Sequence, residues 1–179
     1  QIPNRLMMAG MSAGTKTDSN GEITPEMIAY YVERARGEPG MIAIGASQVV
    51  PPEKRLYGPH AGIALYSDDI VPSLSKLVDA VHAYGTEGTS HEELFSPSGL
   101  SSNVRTARGD GTARYRGQPN RALEKAEISD IVKYFSSAAR RCADAGFDFV
   151  EIHAGHGYLI SNFLTPLFNK RTDEYGGSF

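Results

Sequence analysis

The sequence contains no tryptophan and a single cysteine, Cys142, among its 179 residues. One cysteine excludes an internal disulfide within these residues, and it favours a reducing compartment such as the cytoplasm. The chain also lacks a basic excess, since 18 lysines and arginines stand against 21 acidic residues, so we expect no nucleic-acid partner. No apolar run approaches the ~20 residues that cross a bilayer, and we expect no membrane segment.

Short apolar runs alternate with longer segments of helical periodicity. The runs typical of strands are 5–11, 40–50 and 147–154, and the segments typical of helices are 24–37, 68–85 and 124–146. Strand and helix in turn, with short joins, indicate parallel βαβ units. Because no strand leads into a Gly-rich dinucleotide or phosphate motif, we predict an α/β fold of the TIM (β/α)8 barrel type, with about the first four βα units as one domain over residues 1–179.

The sequence makes three more specific predictions about single segments. Residues 96–121 predict an irregular stretch, and "GTEGTSHEE" within 84–102 is a poor central strand, because it is polar and contains two glycines. For the helix at 124–146 we predict one buried stripe, made of Ile128, Ile131, Val132, Phe135, Ala139 and Cys142.

The run at 147–154 predicts two different faces. Side chains alternate along a strand, so Phe149, Glu151 and His153 share one face, while Val150 and Ile152 share the other. We expect the apolar pair to pack under helices and His153 to lie at the upper rim of the barrel, where such folds build their active sites.

Three candidate side chains lie within six residues at the end of this run and in the loop after it: His153, His156 and Tyr158. Two imidazoles and a phenol supply hydrogen-bond donors and a proton source, which suits a reaction in which a carbonyl oxygen gains negative charge and a neighbouring carbon is protonated. A metal-dependent hydrolase is the alternative, with Glu151, His153 and His156 as zinc ligands, although the helical spacing of HExxH is absent.

The stretch "VEIHAGHGYLISNFLTPLFNKRTDEYGGS" resembles the signature of the old yellow enzyme family of flavin-dependent ene-reductases. The likeness is to the H-x-x-H branch, which includes 2,4-dienoyl-CoA reductase and enoate reductase-like proteins. It extends to "NRLMMAGMSAG" and "RARGEPGMIAIGASQVV", which are similar to the first two strands of the family. On this resemblance, His153 and His156 would bind the substrate carbonyl and Tyr158 would protonate the α-carbon.

The resemblance also implies FMN at the mouth of the barrel and NAD(P)H as reductant. The positions that match FMN contacts are Ala9, Gly10, Met11, Ser12, Ala46 and Glu93. Glu93 departs from the family, because it stands where a glutamine usually contacts the flavin. "RTDEYGGS" is interpreted as a brace in which Arg171, Asp173 and Glu174 form ion pairs.

We expect the partners to be a small unsaturated carbonyl substrate and either a second copy of the chain or the remaining half of the barrel. Residues 1–179 alone are expected to bind FMN weakly or not at all. A longer parent protein of this branch would add an iron–sulfur cluster and FAD. The alternative from another class is a non-catalytic half-barrel that self-associates through its unpaired edges.

Overall fold

The computed structural model describes residues 2–11, 17–54, 62–92, 105–107, 113–115, 121–155 and 158–177. The regular elements in these ranges are β1 (Met7–Met8), α1 (Pro25–Ala35), β2 (Met41–Ser47), α2 (Val71–His82), β3 (Glu87–Glu92), β4 (Arg105–Ala107), β5 (Ala113–Tyr115), α3 (Lys125–Asp144), β6 (Phe149–Glu151) and α4 (Leu159–Leu164). The chain divides into two compact units, residues 1–93 with 130–152 and residues 94–129 with 153–179.

The first unit contains a parallel sheet of four strands in the order β1-β2-β3-β6. Met7 of β1 lies opposite Met41 of β2, and Thr89 of β3 lies opposite Phe149 of β6. A helix follows each of the first three strands before the next strand of the sheet begins, and the predicted βαβ units are therefore confirmed.

Helix α1 begins where its capping residues predict. The Thr24 hydroxyl accepts a hydrogen bond from the Met27 amide, and Pro25 occupies the first turn, where a missing N–H does no harm. Met27, Tyr31 and Ala35 recur every four residues and are all buried, so a single face of the helix packs into the core.

The centre of the first unit is apolar. Strand β2 buries Ile42, Ala43 and Ile44 in succession, as a strand covered on both faces does, and this confirms the prediction for 40–50. Helix α2 contributes Leu74 and Leu77 to the same unit, both fully buried.

Two strands are shorter and more exposed than the sequence predicts. β1 has two residues, where the run 5–11 predicted a buried strand, and Leu6 and Met7 are exposed. Val150 and Ile152 are also exposed, the latter by 57%, so the prediction that they pack under helices is wrong. Among the strands of the described ranges, both lie at the edges of the sheet, with a hydrogen-bonded neighbour on one side, and edge strands are covered less.

Strand β3 forms in spite of its polar sequence, and contacts distant along the chain stabilise it. The Gly88 amide donates to the Asp148 carboxylate at 3.0 Å, and the Thr86 hydroxyl, just before the strand, donates to the Pro39 carbonyl at 2.9 Å. A Cβ at Gly88 would lie 3.4 Å from the Phe147 ring. The Phe147 ring therefore packs beside the strand at Gly88, and tertiary contacts outweigh the low strand propensity.

Two further predictions need correction. Residues 105–115 are not wholly irregular, because β4 and β5 pair as an antiparallel hairpin in the second unit. In α3, Ile131 and Cys142 are buried as predicted, but Val132 is 61% exposed. Successive helical residues turn by about 100°, which carries Val132 away from the face that Ile131 shares with Ala138. None of the helices in the described ranges is long and apolar enough to cross a membrane.

Candidate active site

The carboxyl ends of β1 and β2 bring small residues together in the first unit. Ala9, Gly10 and Met11 follow β1 directly, and Ala46 is the sixth residue of β2. The two strands are parallel neighbours, so these residues lie toward the same edge of the sheet. Gly10 and Ala46 are half-buried, and Ala9 and Met11 are exposed.

Asn4 holds the start of β1 against the start of β2. Its Oδ1 accepts from the amides of Leu6 (2.9 Å) and Gly40 (2.8 Å), and its Nδ2 donates to the Glu38 carbonyl at 2.8 Å. Glycine at position 40 leaves room for these hydrogen bonds, since a Cβ there would collide with the Asn4 carbonyl. The sequence reasoning missed Asn4, although an asparagine two residues before an amide it binds is a readable Asx-turn signal.

His153 and Tyr158 lie together in the second unit. His153 comes two residues after the end of β6, and Tyr158 is the residue that precedes α4. Their ring centroids are 4.7 Å apart, and the ring planes meet at 54°. Both side chains are half-buried, so the fold brings an imidazole and a phenol together at a partly exposed position.

Tyr158 has a fixed backbone. Its amide donates to the Gly155 carbonyl at 3.1 Å, and its carbonyl accepts from the Asn162 amide at 2.9 Å and from the Ser161 hydroxyl at 3.2 Å. Asn162 is itself buried on α4. The phenol therefore starts from a position set by the first turn of this helix.

A hydrogen-bonded brace follows α4. The Asn169 side chain donates to the carbonyls of Phe163 (2.9 Å) and Tyr175 (2.7 Å), and its Oδ1 accepts from the Arg171 amide at 3.1 Å. Asn169 thereby ties the end of α4 to the segment beyond it. The sequence reasoning did not single out this residue, although it also has the Asx spacing.

Arg171 and Asp173 form the ionic part of the brace. Two guanidinium nitrogens of Arg171 bind the two carboxylate oxygens of Asp173 at 2.9 and 2.6 Å, and a third binds the Leu123 carbonyl at 2.6 Å. The hydrogen bonds from Arg171 lower the pKa of Asp173 below its ordinary value. Lys125 pairs with Glu174 nearby. The predicted role of Arg171, Asp173 and Glu174 as a brace is confirmed.

Three predicted site residues, Ser12, Glu93 and His156, lie outside the described ranges. The proposed zinc site of Glu151, His153 and His156 depends on one of them. Among the residues that the structure describes, no group of three His, Cys, Asp or Glu side chains is placed to hold a metal ion.

The whole sequence, residues 1–179, matches the NADH:flavin oxidoreductase / NADH oxidase family. The chain belongs to this family. Among curated relatives, it is 37% identical to a metal reductase of Desulforamulus reducens, over 99% of this chain and 26% of that protein. It is 35% identical to the NADPH dehydrogenase of Bacillus subtilis, over 99% of this chain and 52% of the relative.

Solved structures of the family give the same result. A morphinone reductase variant in complex with tetrahydroNAD superposes with a TM-score of 0.82 at 30% identity, over 99% of this chain and 52% of that one. The old yellow enzyme homologue from Zymomonas mobilis has a TM-score of 0.82 at 28% identity, with the same coverage. These neighbours are TIM barrels, and the chain spans about half the length of each. The predicted fold class, about half of a (β/α)8 barrel, is confirmed for this flavin oxidoreductase family member.

Proposed function

We propose that the protein containing these residues is an FMN-dependent NAD(P)H oxidoreductase that reduces the C=C bond of α,β-unsaturated carbonyl compounds. The family match supports a flavin oxidoreductase. The observation that carries the finer proposal is the His153–Tyr158 pair, because an imidazole and a phenol whose rings are 4.7 Å apart are the groups that such a reduction needs. The relatives named above include an NADPH dehydrogenase, and a morphinone reductase binds a nicotinamide analogue.

The small residues fit an isoalloxazine ring. No side chain larger than methyl stands at Ala9, Gly10 or Ala46, so a planar group can approach the backbone at the ends of β1 and β2. With Met11 and with Ser12 and Glu93, which complete the proposed set, these residues would bind FMN. Bound at these residues, the cofactor would supply hydride transfer between NAD(P)H and the β-carbon of the substrate.

The protein's own side chains would handle the oxygen and the proton. His153, together with His156, would donate hydrogen bonds to the substrate carbonyl oxygen and stabilise the negative charge that develops there. Tyr158 would transfer its hydroxyl proton to the α-carbon, so that the C=C bond gains one hydride and one proton in total.

The test uses the protein expressed from the complete open reading frame. Under anaerobic conditions, NADPH or NADH should bleach the flavin absorbance, and an enone or enoyl thioester should restore it with consumption of the alkene. Tyr158→Phe should slow the second step by about 10²-fold and leave flavin reduction unchanged. Tyr175→Phe, at an exposed tyrosine of the same unit, is the control and should behave as wild type. An alkene that is not consumed by flavin-loaded protein would refute the proposal.

The two curated relatives named above differ in length, and the length of the parent protein decides which further cofactors we propose. The chain covers 52% of the Bacillus subtilis relative but 26% of the metal reductase, so the parent protein would be either a simple barrel or a multi-domain reductase. An iron–sulfur cluster and FAD are proposed for the second case only. Iron analysis and flavin extraction of the full-length protein decide between them. Gel filtration of the purified protein tests the proposed homo-oligomer, and cell fractionation tests the proposed location in the cytoplasm.

A further inference from the structure

Strand β2 has a bulge just before Ala46. Ala43 lies opposite Thr89 of β3, and the next paired residue, Ala46, lies opposite His91. Two residues of β2, Ile44 and Gly45, therefore stand where β3 supplies one. An extra residue of this kind disrupts the ladder locally and changes the direction of the strand, and bulges are frequent beside active sites.

A side chain from α1 binds the bulge. The Gly45 amide donates to the hydroxyl oxygen of Tyr31 at 2.8 Å. Tyr31 is 1% exposed, and burial raises the pKa of its hydroxyl, so the acceptor is the oxygen of a neutral phenol. The Gly45 carbonyl accepts from the Ser47 hydroxyl at 3.3 Å. Side chains thus bind both polar backbone groups of the bulged residue.

We infer that Tyr31 is a positioning residue for the flavin: by binding the Gly45 amide, it fixes the bulge and so the direction of the Ala46 backbone that would face the isoalloxazine ring. The inference rests on the proposed function, since Ala46 matters here only if FMN binds. It assigns to α1, through Tyr31, a role in cofactor binding, which is to fix the backbone beside Ala46.

The alternative is that Tyr31 only fills the core. Its ring packs edge-on against Tyr30, with centroids 5.1 Å apart, and its burial alone would stabilise α1 against the sheet. The two roles separate at the hydroxyl, because Tyr31→Phe keeps the ring and its packing but removes the acceptor for Gly45. A core role predicts little effect on the flavin, whereas a positioning role predicts a change at the flavin itself.

The experiment compares Tyr31→Phe with wild type in the full-length protein, and Tyr30→Phe, at the neighbouring half-buried tyrosine, is the matched control. The first readout is amide hydrogen exchange at Gly45, which needs no flavin and should become about tenfold faster when the acceptor is lost. The second is the dissociation constant of FMN, which should rise about tenfold for the same reason, with a shift in the absorbance spectrum of the bound flavin. The control should change neither.

The outcomes are distinct. Unchanged Gly45 exchange would show that Tyr31 does not hold the bulge, and faster exchange with unchanged FMN affinity and spectrum would reduce Tyr31 to a core residue; either overturns the inference. Wild-type protein that binds no FMN overturns the proposed function and, with it, the positioning role. If Tyr31→Phe fails to fold, Ser47→Ala tests the same bulge from the carbonyl side, and an FMN dissociation constant within error of wild type would overturn the inference.

Discussion

The brace beyond α4 offers the sharpest test of how the Tyr158 region is held. The Arg171 guanidinium donates two hydrogen bonds to Asp173 and one to the Leu123 carbonyl, and the side chain is only 10% exposed. Arg171→Lys keeps the positive charge and most of the apolar stem. A lysine ammonium cannot reproduce the planar fork that binds both carboxylate oxygens while a third nitrogen binds a carbonyl.

The expected cost follows from the bonds that lysine cannot replace. One ammonium can satisfy one of the three acceptors at good geometry, so two hydrogen bonds of Arg171 are lost. Each contributes about 1 kcal/mol net, and the substitution should therefore weaken the brace by about 2 kcal/mol. By the relation of ~1.4 kcal/mol to a factor of ten, local opening should become about 30-fold more frequent.

Amide hydrogen exchange measures this opening directly. The Tyr175 amide donates to the Asp173 carboxylate, and the Gly176 amide donates to the Asp173 carbonyl at 2.9 Å, so both should exchange about 30-fold faster in Arg171→Lys. The Ile28 amide in α1, which donates to the Thr24 carbonyl in the other unit, should exchange at the wild-type rate. It serves as the internal reference.

Arg36→Lys is the matched control, because Arg36 pairs with Glu33 on the surface, where its side chain is 58% exposed. Solvent screens such a pair, and its loss should be undetectable. Equal effects of Arg171→Lys and Arg36→Lys on the exchange of Tyr175 and Gly176 would refute the reasoning, since the brace would then contribute no more than an exposed ion pair.

The remaining predictions concern a glycine and a carboxylate. Gly176→Ala would push a methyl into the Arg171 carbonyl and should lower the free energy of unfolding by about 3 kcal/mol. Gly85→Ala, at φ +72° with open space around it, should lower it by about 1 kcal/mol. Urea unfolding midpoints compare the two variants, and equal losses of stability would contradict the clash at Gly176. The hydrogen bond from Arg121 lowers the pKa of Glu127 from 4.5 to about 2. This stabilisation is complete above pH 4.5 and is lost as the pH falls towards 2, so wild type should lose more stability than Glu127→Gln over that range, and parallel pH profiles would count against the pair.

Helices α1, α2 and α3 were predictable because their signals are local, whereas α4 was not predicted. Thr24 and Pro25 mark the start of α1 within a few residues of the turn they cap, and Gly85, which follows α2, adopts a positive φ. The closeness of His153 and Tyr158 was predictable for the same reason, since only five positions separate them. Their ring separation is a property of the folded loop and could not be obtained from spacing.

What the sequence could not predict depends on residues far apart in the chain. β3 is a strand because Gly88 meets Phe147 and Asp148, some sixty positions later. The brace reaches from Arg171 back to Leu123 across 48 positions. No window of hydrophobic periodicity contains both partners of such a contact, so local patterns underestimated the order in these segments.

The difference between local signals and long-range contacts also applies to the functional residues of this chain. The side chains that would do chemistry stand in one dense segment, and a reader of the sequence finds them. The proposed flavin loops carry glycine, alanine and methionine, which identify no reaction; their proposed use depends on backbone direction, which at Ala46 we assign to the hydrogen bond between Tyr31 and Gly45. Removing the Tyr31 hydroxyl should therefore alter cofactor binding, although Tyr31 is not expected to touch the cofactor.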